Sequence, residues 1–291
     1  MKLADCRLAV IGLGLMGGSL AMALKDQVAS IQGVDQSRIV AEKALELGVV
    51  DRIATDPAEA LAACDLALLA VPVRAALELI GRLGSDLPAP ARLMDLGSTK
   101  VQIVRAMNKL PDGVDCIGGH PLCGKERAGL EAAEPSLFQG APFALVPLAR
   151  TGPGMRGLAA DLVHAVGGRA FQIDADRHDR IAALTSHVPY LLAASLVAGV
   201  NVESPRSEFL LGSGFRDTSR LAASDVTMMF DILTTNRQNV LAQLDRVLHE
   251  ANELREFLVE GDDERLERAL RTIRAKKLGL GLREPGEKGA A

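Results

Sequence analysis

The sequence predicts an α/β fold in which a doubly wound parallel sheet precedes an all-helical C-terminal region. Over the first 170 or so residues, short apolar runs alternate with helical patterns, and runs such as Leu66–Val71 are continuous. Continuous apolar runs are typical of strands buried on both faces, and strand–helix alternation is typical of parallel sheets. From about Arg177 the strand patterns stop, and apolar residues recur at helical spacing between Val240 and Leu258.

The sheet elements follow from seven apolar runs, with helical patterns such as Ser37–Leu47 and Ser98–Leu110 between them. The predicted strands are Leu8–Ile11, Ile31–Val34, Leu66–Val71, Arg92–Leu96, Val114–Ile117, Phe143–Val146 and Arg169–Ile173. Because helices separate most of these runs, we expect the strands to be parallel.

The helical region begins with Ile181–Val200, which is apolar on most sides and is expected to be buried or shared between subunits. Pro189 lies inside it and is expected to kink the helix near His187, because proline lacks an N–H group. Gly261 can end the next helix, and Asp262 or Asp263 can begin the last one.

Composition excludes several classes of protein. Hydrophobic residues make up 48% of the 291 residues, charged residues make up 24%, and the net charge is −4. This is a globular composition, and it lacks the basic surplus expected of a nucleic-acid or anionic-membrane binder. No apolar run reaches about 18 residues, so no transmembrane helix is expected. The four cysteines form no CxxC pair, so we expect no metal site or disulfide framework and a cytoplasmic protein.

A glycine-rich turn directly follows the first predicted strand, and a helical pattern follows the turn. Its sequence is Gly12-Leu13-Gly14-Leu15-Met16-Gly17, and Asp35 lies 18 residues after its last glycine. A glycine turn alone is common. The preceding strand, the following helix and the spaced aspartate together predict a Rossmann dinucleotide-binding site. The carboxylate of Asp35 would accept hydrogen bonds from ribose and repel a 2′-phosphate. NAD is therefore favoured over NADP, although Ser37-Arg38 would soften the preference.

Three further loops follow predicted strand ends, where open α/β sheets place ligands. They contain Val71-Pro72-Val73, Gly97-Ser98-Thr99-Lys100 and Gly118-Gly119-His120-Pro121. His120 is the strongest candidate, because it lies at a strand end between glycines and a proline. Ser98 is either a site residue or the N-cap of the next helix. Cys123 invites a thiol mechanism, but a packed structural cysteine is the favoured interpretation.

Two arginines in the helical region, Arg216 and Arg220, are four residues apart and would share a helix face. They suit either a surface salt-bridge face with Asp217 and Asp225 or the capture of a substrate carboxylate, for which a guanidinium is well shaped. Spacing alone favours the first alternative.

Five motifs, in this order, resemble the prephenate/arogenate dehydrogenases of tyrosine biosynthesis. They are Gly12-Leu-Gly-Leu-Met-Gly-Gly-Ser-Leu, Asp95-Leu-Gly-Ser-Thr-Lys100, Gly118-Gly-His-Pro-Leu-Cys-Gly-Lys-Glu126, Ser186-His-Val-Pro and Gly214-Phe-Arg-Asp-Thr-Ser-Arg220. The resemblance runs to about Asn239. It implies a Rossmann domain, an all-helical domain that dimerises, and the oxidative decarboxylation of a cyclohexadienyl substrate with a nicotinamide cofactor.

The resemblance also implies roles for individual residues. His120 is expected to be the catalytic histidine with Ser98 beside it, and Glu126 to line the site. His187 matches a histidine of the helical domain, and Arg220 matches an arginine that binds a substrate carboxylate. Arg216, Lys125 and Tyr190 join them as candidate contacts for the substrate tail. This chain departs from the pattern at three of its positions, Lys125, Tyr190 and Met229.

With this resemblance, the chain is expected to be a cytoplasmic, homodimeric, NAD-dependent member of the family, a prephenate dehydrogenase, that binds no nucleic acid or membrane. Residues 1–174 are expected to form the NAD-binding domain, 175–280 the helical substrate and dimerisation domain, and 281–291 a flexible tail. Cofactor contacts are expected from Gly12, Gly14, Leu15, Met16, Gly17, Asp35, Val71, Pro72 and Val73. Arogenate dehydrogenase is the nearest alternative. A Rossmann reductase of β-hydroxyacids or imines and a non-catalytic NAD-sensing module are further ones.

Overall fold

A single eight-stranded sheet organises the first part of the chain. The computed structural model describes residues 1–83, 91–125, 127–200 and 211–280. The strands are β1 (Arg7–Ile11), β2 (Ser30–Val34), β3 (Arg52–Ile53), β4 (Leu66–Leu69), β5 (Ala91–Asp95), β6 (Val114–Pro121), β7 (Pro142–Pro147) and β8 (Arg169–Gln172). Their spatial order is β3-β2-β1-β4-β5-β6-β7-β8. All seven predicted runs form strands, and the two-residue strand β3 is an addition to them.

The sheet is parallel from β3 to β6, but β7 runs antiparallel to β6, and β8 pairs in parallel with β7. The prediction of a wholly parallel sheet is therefore wrong at this edge. The connection between β6 and β7 contains only a 3₁₀ turn, Leu130–Ala132, among its described residues. A parallel neighbour would need a crossover helix, and without one the chain returns antiparallel.

Helices cover both faces of the sheet, as expected of a doubly wound fold, and the described chain after β8 contains helices and no further strand. They are α1 (Leu15–Leu24), α2 (Arg38–Glu46), α3 (Pro57–Ala62), α4 (Val73–Leu83), α5 (Val101–Met107), α6 (Pro153–Ala165), α7 (Ala175–Ala182), α8 (Val188–Ala198), α9 (Ser213–Ser219), α10 (Val226–Thr235), α11 (Arg237–Glu260) and α12 (Asp263–Gly279). Two apolar clusters lie on opposite faces of the sheet, one around Leu8, Val10 and Leu68 and the other around Ala9, Ala67 and Leu69.

The strand order reverses between β1 and β4, and this reversal is the switch point of a doubly wound sheet. The glycine turn after β1 and the loop after β4 meet there, because a Cβ atom on Gly12 would lie 2.5 Å from the carbonyl oxygen of Ala70. The carboxyl ends of β5 and β6 open onto the same edge.

The predicted disturbance at Pro189 takes the form of a π-turn, Ala183–His187, which joins α7 to α8. The Val188 N–H donates to the carbonyl of Ala183, five residues earlier, and Pro189 lies in the first turn of α8. The wider turn accommodates the missing N–H group of the proline, and such turns are frequent at functional sites.

The chain forms two compact units, Met1–Val240 and Leu241–Ala291. The boundary predicted after residue 174 falls inside the first unit and stays a prediction. In the second unit, α12 begins as predicted, with the side chain of Asp262 accepting the N–H of Arg265, and Gly261 has a φ of +67°. The predicted tail, 281–291, lies outside the described residues.

The helical stretch Ala175–Ala198 is long and apolar enough to cross a membrane by length and composition alone, with a mean hydropathy of 1.6. It is longer than the apolar runs of fewer than about 18 residues from which no transmembrane helix was expected. However, the stretch contains the buried side chains of His178, Asp179 and His187. Ionisable groups of this kind are costly in a bilayer.

Candidate active site

The glycine turn leaves room for a phosphate in front of α1. Gly12 has a φ of +94°, and a Cβ atom on Gly17 would lie 1.9 Å from the carbonyl oxygen of Gly12. Both positions therefore require glycine. A Cβ atom on Gly14 would meet nothing within 4 Å, so the turn is open there, directly before α1 begins at Leu15. This cradle fits the pyrophosphate of a dinucleotide.

Asp35 lies directly after β2 and is held beside this turn. Its carboxylate accepts the N–H of Leu13 at 2.8 Å and the N–H of Ser37 at 2.9 Å. Arg38 is exposed and pairs with Glu42 at 2.7 Å. A 2′-phosphate at this position would meet a fixed carboxylate, whereas ribose hydroxyls can still donate to its remaining lone pairs.

His120 lies near the carboxyl end of β6, where the sequence predicts it. Its ring is partly accessible to solvent, and loss of hydration lowers its pKa well below 6.5; the neighbouring His178, Lys100 and His187 lower the pKa further. Its Nδ1 atom lies 2.8 Å from Nε2 of His178. His120 is thus a neutral imidazole near pH 7. Its Nδ1 atom faces His178, and Nε2 is the ring nitrogen that does not.

Behind His120, a buried lysine joins the ends of β5 and β6. The ammonium of Lys100 contacts the carboxylate of Asp95 and donates to the carbonyl of Gly119 at 2.7 Å. Asp95 also accepts the N–H of Gly97 at 2.9 Å. Both charged side chains are fully buried, and such a pair costs desolvation energy, so we interpret it as a device that fixes two neighbouring loops.

Ser98 lies in the loop between these groups and is half-buried. Ser98 does not cap α5, because the N-cap position is Lys100, and the side chain of Lys100 makes no capping hydrogen bond. The carboxylate of Asp179 takes this role instead, accepting the N–H of Lys100 at 2.7 Å and the N–H of Val101 at 2.9 Å. The hydroxyl of Ser98 is therefore not committed to capping the helix.

His187 is buried at the end of the π-turn, and burial lowers its pKa to about 4. Its Nδ1 atom lies 3.3 Å from Nδ2 of Asn236. The same amide nitrogen donates to the backbone carbonyl of Asp179 at 2.7 Å, and Asn239 donates to Oδ1 of Asn236 at 2.8 Å. With Asn236 oriented in this way, neutral His187 accepts at Nδ1 and carries its proton on Nε2.

Comparison with known proteins identifies the family. A family model described as prephenate dehydrogenase, nucleotide-binding domain, matches residues 20–172, and one described as prephenate dehydrogenase, dimerization domain, matches 174–272. A cyclohexadienyl dehydrogenase of Zymomonas mobilis is 32% identical over 281 residues, which cover 94% of this chain and 95% of that protein.

Solved structures give the same result. A prephenate dehydrogenase from Aquifex aeolicus, in complex with hydroxyphenyl propionate and NAD⁺, has a TM-score of 0.86 at 28% identity, covering 96% of this chain and 98% of that one. An arogenate dehydrogenase from Synechocystis has a TM-score of 0.81 at 27% identity, covering 94% of this chain and 99% of that one.

The chain belongs to the prephenate dehydrogenase family. The predicted fold class, the NAD cofactor and the oxidoreductase class are thereby confirmed. For a family member, the cradle at Gly14 and the fixed carboxylate of Asp35 are where this chain would hold the cofactor. NAD supplies the hydride acceptor when it is bound.

Only some of the predicted substrate contacts come together in this family member. Arg216 lies in α9 and Arg220 begins the 3₁₀ turn Arg220–Ala223, and both segments pack against α8. Tyr190 is half-buried in the first turn of α8, three residues after His187. Asp225 caps α10, accepting the N–H of Met228 at 2.7 Å. These placements bring both arginines to the helix that follows His187.

Lys125, another predicted contact, is engaged by a neighbouring carboxylate. The ammonium of Lys125 pairs with Glu134 at 2.6 Å and donates to the carbonyl of Ala132 at 3.2 Å, so its charge is already compensated. Glu126 lies outside the described residues. Cys123 packs against the core, and burial raises the pKa of its thiol to about 11, so a thiolate is not available near pH 7.

The structure adds residues that the sequence analysis missed, chiefly His178, Asp179 and Asn236. The chain has five histidines, and three of them, His120, His178 and His187, belong to this one network. In the sequence, the adjacent pair His178-Asp179, nine residues before His187, was the feature that could have indicated this network.

The low pKa of His187 predicts a specific loss of stability in acid. The unfolded chain binds a proton below about pH 6.5, whereas folded His187 does not until about pH 4, so this group's contribution is full above 6.5 and falls as pH decreases. Lowering the pH from about 6.5 to about 4 should therefore reduce the free energy of unfolding by about 3 kcal/mol through this group. Urea unfolding at pH 7, 5.5 and 4.5 measures the effect.

The matched variant is His187→Asn, whose amide oxygen can replace Nδ1 as the acceptor for Asn236 but does not titrate. We expect its unfolding free energy to fall less steeply between pH 7 and 4.5 than that of the wild type. Equal slopes for the two proteins would contradict a neutral buried His187.

Proposed function

We propose that this protein is an NAD-dependent prephenate dehydrogenase, which converts prephenate to 4-hydroxyphenylpyruvate in tyrosine biosynthesis. The observation that supports it most directly is the placement of a neutral histidine, His120, on the same sheet edge as the dinucleotide cradle. The family membership of the chain supports the reaction class, NAD-linked oxidative decarboxylation.

The residue types suit this reaction. Hydride leaves ring C4 while CO₂ leaves C1, and the ring becomes aromatic. Positive character develops at C4 and is relieved if the C4 hydroxyl shares its proton with a base. Neutral His120 is the proposed base, because its Nδ1 already faces His178 and its Nε2 remains for the substrate. Ser98 would hydrogen-bond the same hydroxyl or orient the ring.

The substrate carboxylates are assigned to the helical residues. Arg220 and Arg216 are the proposed partners, since guanidinium groups suit carboxylates. His187 would donate from Nε2–H as a neutral group rather than as a cation. Holding the substrate at one end places C4 for reaction, which is an orientation effect.

Prephenate is favoured over arogenate because it lacks the side-chain ammonium and is more anionic. Lys125 and His187 do not support this choice as cations, since one is paired with Glu134 and the other is neutral. The preference for prephenate therefore depends on Arg216 and Arg220. One additional unit charge about 4 Å from a guanidinium is worth about 1 kcal/mol in water, or roughly fivefold in binding. Arogenate dehydrogenase is the second candidate, because a solved arogenate dehydrogenase shares this fold.

The assembly proposed is a cytoplasmic homodimer formed through the helical region, with residues 1–174 as the nucleotide domain and 175–280 as the helical domain. The match of 174–272 to a dimerization domain supports it. Several large apolar side chains of the helices before Val240 are exposed, namely Ile181, Leu184, Leu192, Leu196 and Phe230. A second copy would cover such a surface, and light scattering that gave a monomer at micromolar concentration would oppose the assembly.

The substrate assignment is tested by following reduced-cofactor absorbance with prephenate and with arogenate, each with NAD. We expect kcat/KM to be higher for prephenate by roughly fivefold or more, because its additional negative charge is attracted by the two guanidinium groups. A higher kcat/KM for arogenate would overturn the choice of substrate and leave the hydride chemistry unaffected. No reduction with either substrate would overturn the function.

The assigned roles of His120 and Asp35 predict the loss of different properties, namely turnover for His120 and cofactor discrimination for Asp35. His120→Asn should lower kcat by about 10²–10⁴-fold, as expected for a lost general base, and keep the Kd for NAD. Asp35→Ala should keep much of kcat but weaken discrimination against NADP, because the repulsive carboxylate is gone. Fluorescence titration and steady-state kinetics separate the two effects. Near-wild-type turnover in the first variant, or an unchanged NAD to NADP ratio in the second, would contradict that assignment.

A further inference from the structure

His178 and Asp179 stand in line behind His120. His178 lies in α7 and is buried, with 5% of its surface exposed. Its Nε2 atom is 2.8 Å from Nδ1 of His120, and its Nδ1 atom is 2.8 Å from Oδ1 of Asp179. The two imidazole rings meet edge to face, with centroids 5.0 Å apart and an interplanar angle of 64°. The line therefore ends at Nε2 of His120.

The hydrogen-bond partners of Asp179 determine the direction of every bond in this line. The carboxylate faces the N–H groups of Lys100 and Val101, which can only donate, so it accepts from them as an ionised group. It accepts from Nδ1–H of His178 as well. A neutral His178 then has its lone pair on Nε2, and His120 must donate to it from Nδ1–H. The lone pair of His120 is thereby placed on Nε2.

We propose that His178 is a positioning residue, which, supported by Asp179, holds His120 in the tautomer whose Nε2 can accept a proton and shares the positive charge formed when it does. This inference depends on the proposed role of His120 as the base. The general function of such a third group is to fix the tautomer and stabilise the imidazolium.

The proton balance suits an enclosed relay. The C4 hydroxyl proton moves to Nε2 of His120, and the Nδ1 proton of His120 moves toward Nε2 of His178, whose positive charge faces Asp179. The O–H bond of the substrate breaks as the new N–H bond forms. The phenol product carries a hydroxyl, so the shifts reverse as it forms and no net proton has to leave. Burial of His178 is compatible with this cycle, because no exit to solvent is needed.

Acid should abolish the arrangement through the pair. A protonated His178 would donate from both nitrogens. Nδ1 of His120 would then have to accept, and the proton of a neutral His120 would lie on Nε2. The charged and titratable groups around the pair are Asp179 from α7, Asp95 from the end of β5, Lys100 from the start of α5 and His187 from the π-turn. The acid limb of the pH–rate profile is therefore expected to depend on the hydrogen bond between His120 and His178 as well as on His120 itself.

Two substitutions separate hydrogen bonding from charge sharing. His178→Leu removes the acceptor, and we expect kcat to fall by about 10²-fold or more while KM and the Kd for NAD stay nearly constant. His178→Gln offers a carbonyl acceptor that cannot take a proton. It should keep the Nδ1–H tautomer of His120 and recover part of kcat, with an altered acid limb. His164→Leu, an exposed histidine on α6, is the control.

Nitrogen NMR of the histidine rings gives a readout without substrate. The wild type and His178→Gln should show His120 protonated at Nδ1, and His178→Leu should show a mixture of tautomers. A folded His178→Leu with wild-type kcat and an unchanged tautomer would overturn the proposal. So would a His178→Gln with wild-type kcat and acid limb, because charge sharing would then be unnecessary. If His120→Asn kept full turnover, the role of His120 as base would fail, while the tautomer result would still report on His178.

Discussion

The carboxylate of Asp179 is the contact on which the rest of the site depends. It accepts three donors, the N–H groups of Lys100 and Val101 and Nδ1–H of His178. One residue of the first helix after the sheet thus caps α5 and orients the histidine that faces His120. Its backbone carbonyl also accepts from Asn236, which contacts His187. Displacement of this one side chain would disturb the loop of Ser98 and the tautomer of His120 together.

The helix that Asp179 caps would not be stable alone. Helix α5 has seven residues, and isolated helices of that length are marginal in water. Its other end is held by Arg150, which donates to the carbonyls of Met107 at 2.7 Å and Val114 at 2.8 Å. Side chains from distant parts of the chain therefore fix both ends. The loop before α5 is thereby fixed as well, and it contains Ser98 and Lys100, whose ammonium pairs with Asp95 at the end of β5.

Polar contacts, rather than apolar packing alone, join the helices α7 to α10 to the strand ends. The hydroxyls of Thr99 and Thr235 lie 2.9 Å apart, and Gln102 donates to the carbonyl of Thr235 at 2.9 Å. Arg74 pairs with Asp231 at 3.3 Å. Directional bonds of this kind set one relative position, which a site assembled from both regions requires.

The sequence was most informative where a role depends on local pattern. The glycine turn, Asp35 and His120 could be predicted because strand ends are visible as apolar runs, and the loops after parallel strands meet at one edge of the sheet. The pairing of His178 with His120, 58 residues apart, and the capping of α5 by Asp179 could not, because they depend on tertiary contacts without local periodicity. Lys125 illustrates the converse. A lysine in a site motif suggested a substrate contact, and only the folded structure brings Glu134 beside it.

The most direct test of this account is kcat for Asp179→Asn, measured beside the exposed control Asp176→Asn from the same helix. An amide of the same size keeps one acceptor but turns an NH₂ group toward a donor, either the start of α5 or Nδ1–H of His178. We expect kcat to fall by about 10²–10⁴-fold with the Kd for NAD unchanged, since His120 would no longer present its lone pair on Nε2. A folded Asp179→Asn protein with kcat within about twofold of the wild type would contradict the account, because the tautomer of His120 would then not depend on this carboxylate.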